Sequence, residues 1–580
     1  MRIRRLVLSV ALSGALLWGW RGNAQEMLRV EASQQPLTDS ITGLPLTVQT
    51  DAFLLGRTEL TQAEFDRVMG GNPSRFRGPD RPVENVSWKQ ALAYCNRRSD
   101  AEGLTRCYGP DDSWDRFCTG YRLPTEVEWR AAAGEAEVLP QALLAGANLY
   151  DGETSVAAIA TRAAQGTRPV GSEHPDPMNR FAGLAGNVWE MCFDRFSEKP
   201  IVDSVWNPAG PQTGVARVIR GGSFLTQATR WNKGFRSSVP PIAASPYVGF
   251  RIARSLPIAE RSVKSHEVAG IQPVRSTEPA AKPDRVKISE QWMNVLGRPP
   301  QPGRSARAIL TGTLVEPAWS AREFELLCEP GSPWRALLVL PAHERTERLP
   351  VLIVPYYDVD TPAGKNLGGR IATPAGVRAF AHVAAQFGMA ALAVRWSGEN
   401  DGPGYLEVVA GLAQRYPNVT GLGHWIWQAE QTIDWLSGQP EIDPARIGII
   451  GHSLGGKMAL YAAAFEPRIR AVVSSEPGIS LGFSNYEDPW YLGERIQMLP
   501  KGADQHELIQ LIAPRPFLLI AGESADGDKS VPILAKAAPA YAASGKPDAL
   551  GIFNHRSGHS PTPESVVSAM GWLHEQLSKP

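Results

Sequence analysis

The pentapeptide Gly451-His452-Ser453-Leu454-Gly455 constrains the fold more than any other stretch of this 580-residue chain. Glycine and serine are common, so the neighbours of the pattern carry the weight. Residues 446–450 form a short β-branched run that ends at the first glycine, and residues 457–464 continue as an apolar, helix-forming stretch. Strand, tight turn and helix in that order put a serine hydroxyl on the crest of a strained turn, where bulky neighbours would clash. The start of the helix also favours negative charge developing beside it. Ser453 therefore reads as a nucleophile, with an inert Gly-Ser turn as the alternative.

The surroundings extend the same logic. Residues 351–355, 390–395, 447–450, 471–474 and 517–521 read as buried strands, and 374–386, 424–436, 455–465 and 565–577 as helices between them. Such alternation predicts an α/β fold with a mostly parallel sheet covered on both faces. The N-terminal half differs: rich in Gly, Pro, Asn and Trp, it predicts an irregular α+β fold. Its helices are expected at 62–69, 87–98 and 125–134, with Ser87 and Thr125 as N-caps. From about 256 to 289 the chain turns to Glu, Lys, Ser, Pro and Ala without a period, the composition of an exposed linker. The expected order is a leader over 1–24, a first domain over 30–255, a linker over 256–289 and a second domain over 290–580.

The leader rests on Arg2, Arg4 and Arg5, the apolar run 6–18 and the small residue Ala24, the layout of a cleavable secretory signal. It predicts a periplasmic or secreted protein, with no membrane span after cleavage. An exported chain meets oxidising conditions, and Cys107 and Cys118 flank a turn-rich insert that could join them. Cys95, Cys192 and Cys328 have no evident partner. Lys plus Arg and Asp plus Glu both number 59, so the basic surplus that nucleic-acid binding requires is missing.

From about 305 onward the chain resembles the α/β-hydrolase superfamily, closest to its dienelactone-hydrolase-like and carbohydrate-esterase branches. The resemblance rests on the Ser453 turn, on Asp443-Pro444-Ala445-Arg446-Ile447-Gly448 before it, and on Ile512-Ala513-Pro514-Arg515-Pro516-Phe517 after it. That superfamily orders its residues serine, acid, histidine. His559 in Gly558-His559-Ser560 follows the last strand and is the expected base, with His555 as rival. The acid is expected at Asp528, shortly before Val531-Pro532; Asp526 and Glu476 remain open alternatives. The oxyanion donors are expected to be the backbone N–H of Leu454 and one from Tyr357 or its neighbour Tyr356. Lys457 matches a lysine that contacts a carboxylated sugar in glucuronoyl esterases, though a helix-surface lysine is equally consistent. Trp425, Trp427, Trp490 and Tyr491 are candidates for sugar stacking or for packing. The resemblance implies hydrolysis of a small-molecule or carbohydrate ester, without a cofactor.

From about 50 to 254 the chain resembles the formylglycine-generating, or sulfatase-modifying-factor, family, a variant of the C-type-lectin fold. The matching stretches include Gly120-Tyr121-Arg122-Leu123-Pro124-Thr125-Glu126-Val127-Glu128-Trp129, Gly186-Asn187-Val188-Trp189-Glu190, Arg220-Gly221-Gly222-Ser223-Phe224 and Gly249-Phe250-Arg251. Catalytic members carry two copper-binding cysteines just after Arg-Gly-Gly-Ser-Phe. Here Thr226 and Trp231 stand in their places and offer no thiolate. Related iron oxidases need several histidine or carboxylate ligands, and His174 is the one histidine between Gln25 and Leu256. The domain is therefore expected to be a non-catalytic, lectin-like accessory. The resemblance also implies a structural calcium, for which Asn187 and Glu190 are the candidate ligands.

Overall fold

The computed structural model describes residues 25–116, 118–134, 147–152, 155–172, 180–232, 234–256, 270–300, 306–329, 332–342, 347–365, 367, 376–398 and 404–579. The expected leader and His174 lie outside these. The chain forms two compact units. The first comprises Met1–Ala32, Ala52–Phe193 and Val215–Ser262; the second comprises Ser33–Asp51, Asp194–Gly214 and Val263–Pro580.

The second unit is built on a ten-stranded sheet. Its centre is a parallel run of six strands in the order Leu550–Asn554, Phe517–Ala521, Ile469–Ser475, Ile442–His452, Leu349–Tyr356 and Ala390–Arg395. Three antiparallel strands, Ser332–Pro341, Trp319–Glu329 and Arg307–Val315, continue one edge. The central strands are apolar on both faces because helices cover both. Every residue of Leu349–Tyr356 and of Phe517–Ala521 is buried. The helix Leu454–Phe465 is buried from Leu454 through Ala464, as a helix apolar all round must be. The strand Ile442–His452 lies in the middle of the sheet and ends at the turn that carries Ser453.

The linker expected over 256–289 is corrected within its described part. Gln272–Pro273 pairs with the strand Leu550–Asn554, and a helix capped by Asp284 runs from Arg285 to Leu296. That helix buries Trp292, Val295 and Leu296. A Pro-rich, weakly periodic segment is here held by an edge strand and by one buried aromatic.

The second unit also incorporates two segments that the sequence assigned to the first domain. Strands Ser33–Thr38 and Pro45–Thr50 form a hairpin, and Asp39 at its bend accepts from the N–H and hydroxyl of Thr42 at 2.9 and 2.7 Å. The other oxygen of Asp39 accepts from the N–H of Val202, in the second inserted segment, at 3.2 Å. His382 Nε2 faces Asp39 at 3.4 Å, while His382 Nδ1 accepts from Trp319 Nε1 at 3.0 Å, which fixes the tautomer. Asp39 and His382 are both fully buried. The helix Phe380–Gln386 is clamped further by Gln386 Nε2 donating to Val202 O at 2.7 Å. Trp206 then packs 4.5 Å from the ring of His574 and edge-on to Phe387.

In the first unit, the strand Phe53–Gly56 pairs with Met27–Val30 on one side and with Ala253–Ser255 on the other, so the two ends of the unit close one sheet. A second sheet contains Arg236–Val239, Arg217–Arg220, Trp189–Arg195 and Val248–Gly249. The three expected helices appear at Gln62–Met69, Trp88–Ala101 and Glu126–Ala132, each begun by a capping box on Thr61, Ser87 and Thr125. Cys107 and Cys118 are joined in a disulfide, and Cys95, Cys192 and Cys328 are buried thiols.

The hairpin makes the second unit dependent on residues distant in sequence. Asp39→Ala leaves buried N–H donors and His382 without an acceptor, a loss of about 2–3 kcal/mol. Thermal melting of the full chain is expected to show a transition lowered by several degrees, and a fragment beginning at residue 290 is expected to be poorly soluble. A 290–580 fragment as stable as the full chain would remove the inserted segments from the folding unit.

Candidate active site

Ser453 stands at φ +56°, a left-handed value that costs energy in a non-glycine residue and is held by its surroundings. The glycines around it are demanded by contact. A Cβ on Gly451 would lie 2.1 Å from the carbonyl oxygen of Gly455, and one on Gly455 would lie 2.1 Å from the carbonyl oxygen of Pro355. The turn is thus pressed against the end of the neighbouring strand Leu349–Tyr356. Leu454 is the first residue of the helix, and Tyr357 is the residue after that strand.

His559 Nε2 lies 3.1 Å from Ser453 Oγ, and His559 Nδ1 lies 3.2 Å from Glu476 Oε2. The imidazole is 43% exposed on its side chain, whereas the Glu476 carboxylate is fully buried, so the pair opens to the cleft only through the histidine. Glu476 follows the strand Ile469–Ser475 and also has a positive φ, +48°. Its carboxylate accepts from the N–H groups of Gly522, Ala525 and Asp526, in the loop after the next strand. That loop is where the sequence places the acid. The loop supplies amides and the preceding strand supplies the carboxylate.

Asp528, the expected acid, lies elsewhere. Its carboxylate is exposed and held by Arg556 at 2.8 Å and Asn554 at 3.0 Å, and the Arg556 guanidinium keeps it below the usual carboxylate range. Asp526 is buried and accepts from the N–H groups of Gly478 and Ile479 at 2.6 and 2.7 Å and from Ser530 at 2.8 Å. It fastens the backbone just beyond Glu476. Burial, against these hydrogen bonds, pushes its carboxyl up to about 6, with the Glu476 charge adding to the rise. Of the three open carboxylates, Glu476 is the one in contact with His559.

The other histidines take different places. His452 Nδ1 pairs with Ser475 Oγ at 3.0 Å, and its ring stacks obliquely 4.8 Å from that of His559. Burial, then the nearby His559 and Arg378, push it down to about 3, so it stays neutral. The rival base His555 accepts from the N–H of Ser557 through Nδ1. Arg378, which no sequence pattern singles out, donates to Ser560 Oγ at 2.5 Å and to the Tyr356 hydroxyl, and so borders both ends of the site.

Lys457 is not a helix-surface residue. Its ammonium donates to Pro477 O, Ser484 Oγ and Asn485 Oδ1 at 2.7–3.0 Å and lies over the rings of Tyr486 and Tyr491. All three of its N–H bonds are used, so it latches the segment after Glu476 to the helix. Burial lowers it to about 8. Trp425, Trp427 and Trp490 are core residues rather than sugar platforms; Tyr491 is the partly exposed member of that set.

In the first unit the expected calcium ligands are already engaged. Glu190 is paired with Arg251 at 2.5–2.6 Å, both fully buried, and accepts from Trp129 Nε1 at 2.7 Å. Asn187 Oδ1 accepts from Asn148 Nδ2 and from the N–H of Arg168, both at 2.9 Å. A hard cation needs several free oxygens, and these side chains do not fit one. At the position of the missing thiols, Thr226 Oγ1 accepts from the N–H of Ser223 at 2.9 Å, and Trp231 is buried with its Nε1 on Gly221 O at 2.7 Å. An indole fills the place of a thiolate, and the copper chemistry of catalytic members has no ligands here.

A serine on a strained turn at the centre of a mostly parallel sheet, with histidine and a buried carboxylate in reach, puts the second unit in the class of α/β-hydrolases with a serine nucleophile. Comparison with known proteins defines the two parts further. Residues 21–256 match the family described as sulfatase-modifying factor enzyme 1-like domain, and residues 414–487 match the family described as glucuronyl esterase, fungi. A formylglycine-generating enzyme of Streptomyces coelicolor is 34% identical over 34% of this chain and 61% of its own length. A 4-O-methyl-glucuronoyl methylesterase of Wolfiporia cocos is 30% identical over 16% of this chain and 29% of its own. The chain thus spans about three-fifths of the first relative and under a third of the second. Among solved structures, a glucuronoyl esterase from Solibacter usitatus aligns with 55% of this chain and 99% of its own at 17% identity, with a TM-score of 0.43. The chain joins a sulfatase-modifying-factor-like domain to a glucuronoyl-esterase-like region.

Two measurements follow from this geometry. Labelling of Ser453 by a fluorophosphonate probe is expected to slow on the order of a hundred- to ten-thousandfold in Glu476→Gln, while Asp528→Asn keeps the wild-type rate within about threefold; the reverse order would return the acid to Asp528. Asp526 is protonated more readily in the folded chain than unfolded, so its ionisation costs stability that appears as pH rises through about 6. The melting temperature of Asp526→Asn relative to wild type is therefore expected to rise between pH 4 and pH 7.5. A constant difference would show that Asp526 is not the titrating group.

Proposed function

We propose that this chain is an exported serine esterase that hydrolyses carboxylic esters of carbohydrates, with methyl or alkyl esters of uronic acids as the leading substrates, and that its first unit is a non-catalytic accessory. The observation that carries the reading is the line of contacts from Ser453 Oγ through His559 to Glu476. The glucuronoyl-esterase match over 414–487 supports the substrate class, and the basic start, apolar run and small residue of positions 1–24 are the basis for export.

In the first half-reaction Ser453 Oγ attacks the ester carbonyl as its proton passes to His559 Nε2. The buried Glu476 carboxylate stabilises the imidazolium and holds Nδ1–H toward itself. The negative oxygen of the tetrahedral intermediate is held by the backbone N–H groups of Leu454 and Tyr357, aided by the start of the helix Leu454–Phe465. His559 then returns the proton to the departing alcohol. Water, deprotonated by the same histidine, releases the acid and restores Ser453. Neutral His452 beside His559 adds no positive charge to oppose the imidazolium.

The test is a panel of methyl glucuronate, acetylated xylo-oligosaccharides and p-nitrophenyl acetate, run with the wild-type and Ser453→Ala proteins. Hydrolysis of at least one sugar ester is expected, falling by about a thousandfold or more in the variant. Turnover that persists in Ser453→Ala would place the chemistry elsewhere.

A further inference from the structure

The first unit contains a cavity of about 430 Å³, within the roughly 300–1,000 Å³ of small-molecule sites. It lies against Ala228, in the segment that stands where catalytic relatives keep their thiols. The backbone there is firm. Tyr150 donates its N–H to Thr226 O, and Ala228 donates its N–H to Tyr150 O, both at 2.8 Å. What was a place for redox chemistry is a wall of peptide groups bordering an open space.

Two guanidinium groups reach this space. Arg162 is fixed: Nε donates to Phe224 O at 3.0 Å, Nη2 to Leu149 O at 3.2 Å and to Asn148 Oδ1, and Nη1 to Gln165 Oε1 at 3.2 Å. Arg168 has an anchored backbone, since its N–H donates to Asn187 Oδ1 and its carbonyl accepts from Asn187 Nδ2, while its exposed guanidinium makes no hydrogen bond among the described residues. The two are close enough that burial and then the Arg168 charge hold Arg162 below the usual arginine range. Asp151 alone offsets them within the lining, which leaves one net positive charge. Thr161, Gln165, Tyr150 and Asp151 add neutral or acidic hydrogen-bonding groups around it.

We propose that this cavity binds a sugar acid: a single pyranose carrying one carboxylate, paired with Arg168 and Arg162, with its hydroxyls met by Asp151, Thr161 and Gln165. One net charge matches a carboxylate monoanion better than a phosphate dianion, and the mixed donors and acceptors suit hydroxyls. The site is separate from the Ser453 centre, and free uronate carries no ester, so the proposal does not depend on the esterase reading.

The test is calorimetric titration of the full chain with sodium glucuronate and, separately, with glucose, for the wild type and Arg168→Glu. Arg168 is exposed and its side chain bonds to nothing described, so the variant is expected to melt like the wild type. Glucuronate is expected to bind saturably, glucose not, and Arg168→Glu to weaken glucuronate at least about tenfold. Equal affinity for glucose, glucuronate binding that survives the substitution, or no saturable binding would each overturn the assignment.

Discussion

The second unit is organised around a carboxylate that follows one strand and is solvated by the loop after the next. Glu476 is fully buried, and an isolated buried anion would be too costly to keep. Three backbone N–H groups of residues 522–526 take the place of water, and the imidazole of His559 completes the shell. In exchange, Asp526 from that same loop binds the two amides that follow Glu476. Each loop therefore carries the acceptor for the other's donors. The strained backbone at Glu476 and at Ser453 is tolerable because this cross-connection, with Lys457 pinning residues 477–485 to the nucleophile's helix, leaves neither turn free to relax.

The first unit shows the opposite use of similar residues. The stretches that carry its family likeness are mostly spent on holding the fold. Arg122 and Glu128 form a bidentate pair, and Glu190 joins Arg251 and Trp129 in a fully buried cluster. At the positions of the family's thiols stand a threonine and a buried indole, each hydrogen-bonded to nearby backbone.

Much of this was legible in the sequence where the determinants are local. Helix starts at Ser87 and Thr125 depend on residues three apart and were readable. So was the setting of Ser453, since strand, turn and helix are contiguous. That His559 could reach Ser453 was legible because its place after the last strand follows from chain order. Which of the three carboxylates left open contacts His559 was not legible, because placing Glu476 there requires knowing that residue 476 takes a left-handed conformation and that amides fifty residues later point at it. Lys457 looked like a surface group because the rings that enclose it, Tyr486 and Tyr491, come from a segment with no period of its own. Arg378 had no pattern at all. At the expected calcium ligands, oxygen-bearing residues at familiar positions say nothing of the arginine already bound to Glu190.

The hydrolase unit is discontinuous along the chain, and this bears on how such a protein is made and inherited. Residues 33–51 and 194–214 leave the ribosome well before the strands they will support, so Asp39 must wait for His382 and Trp319 to be synthesised. Completion of the hydrolase core is therefore a late event that draws on early sequence, with the loop-closure cost of long-range contacts. The same threading restricts recombination. A gene rearrangement that joined this hydrolase to another partner at the apparent junction near residue 260 would leave two of its structural pieces behind, so the pair is expected to travel through evolution as one inseparable gene rather than as exchangeable modules.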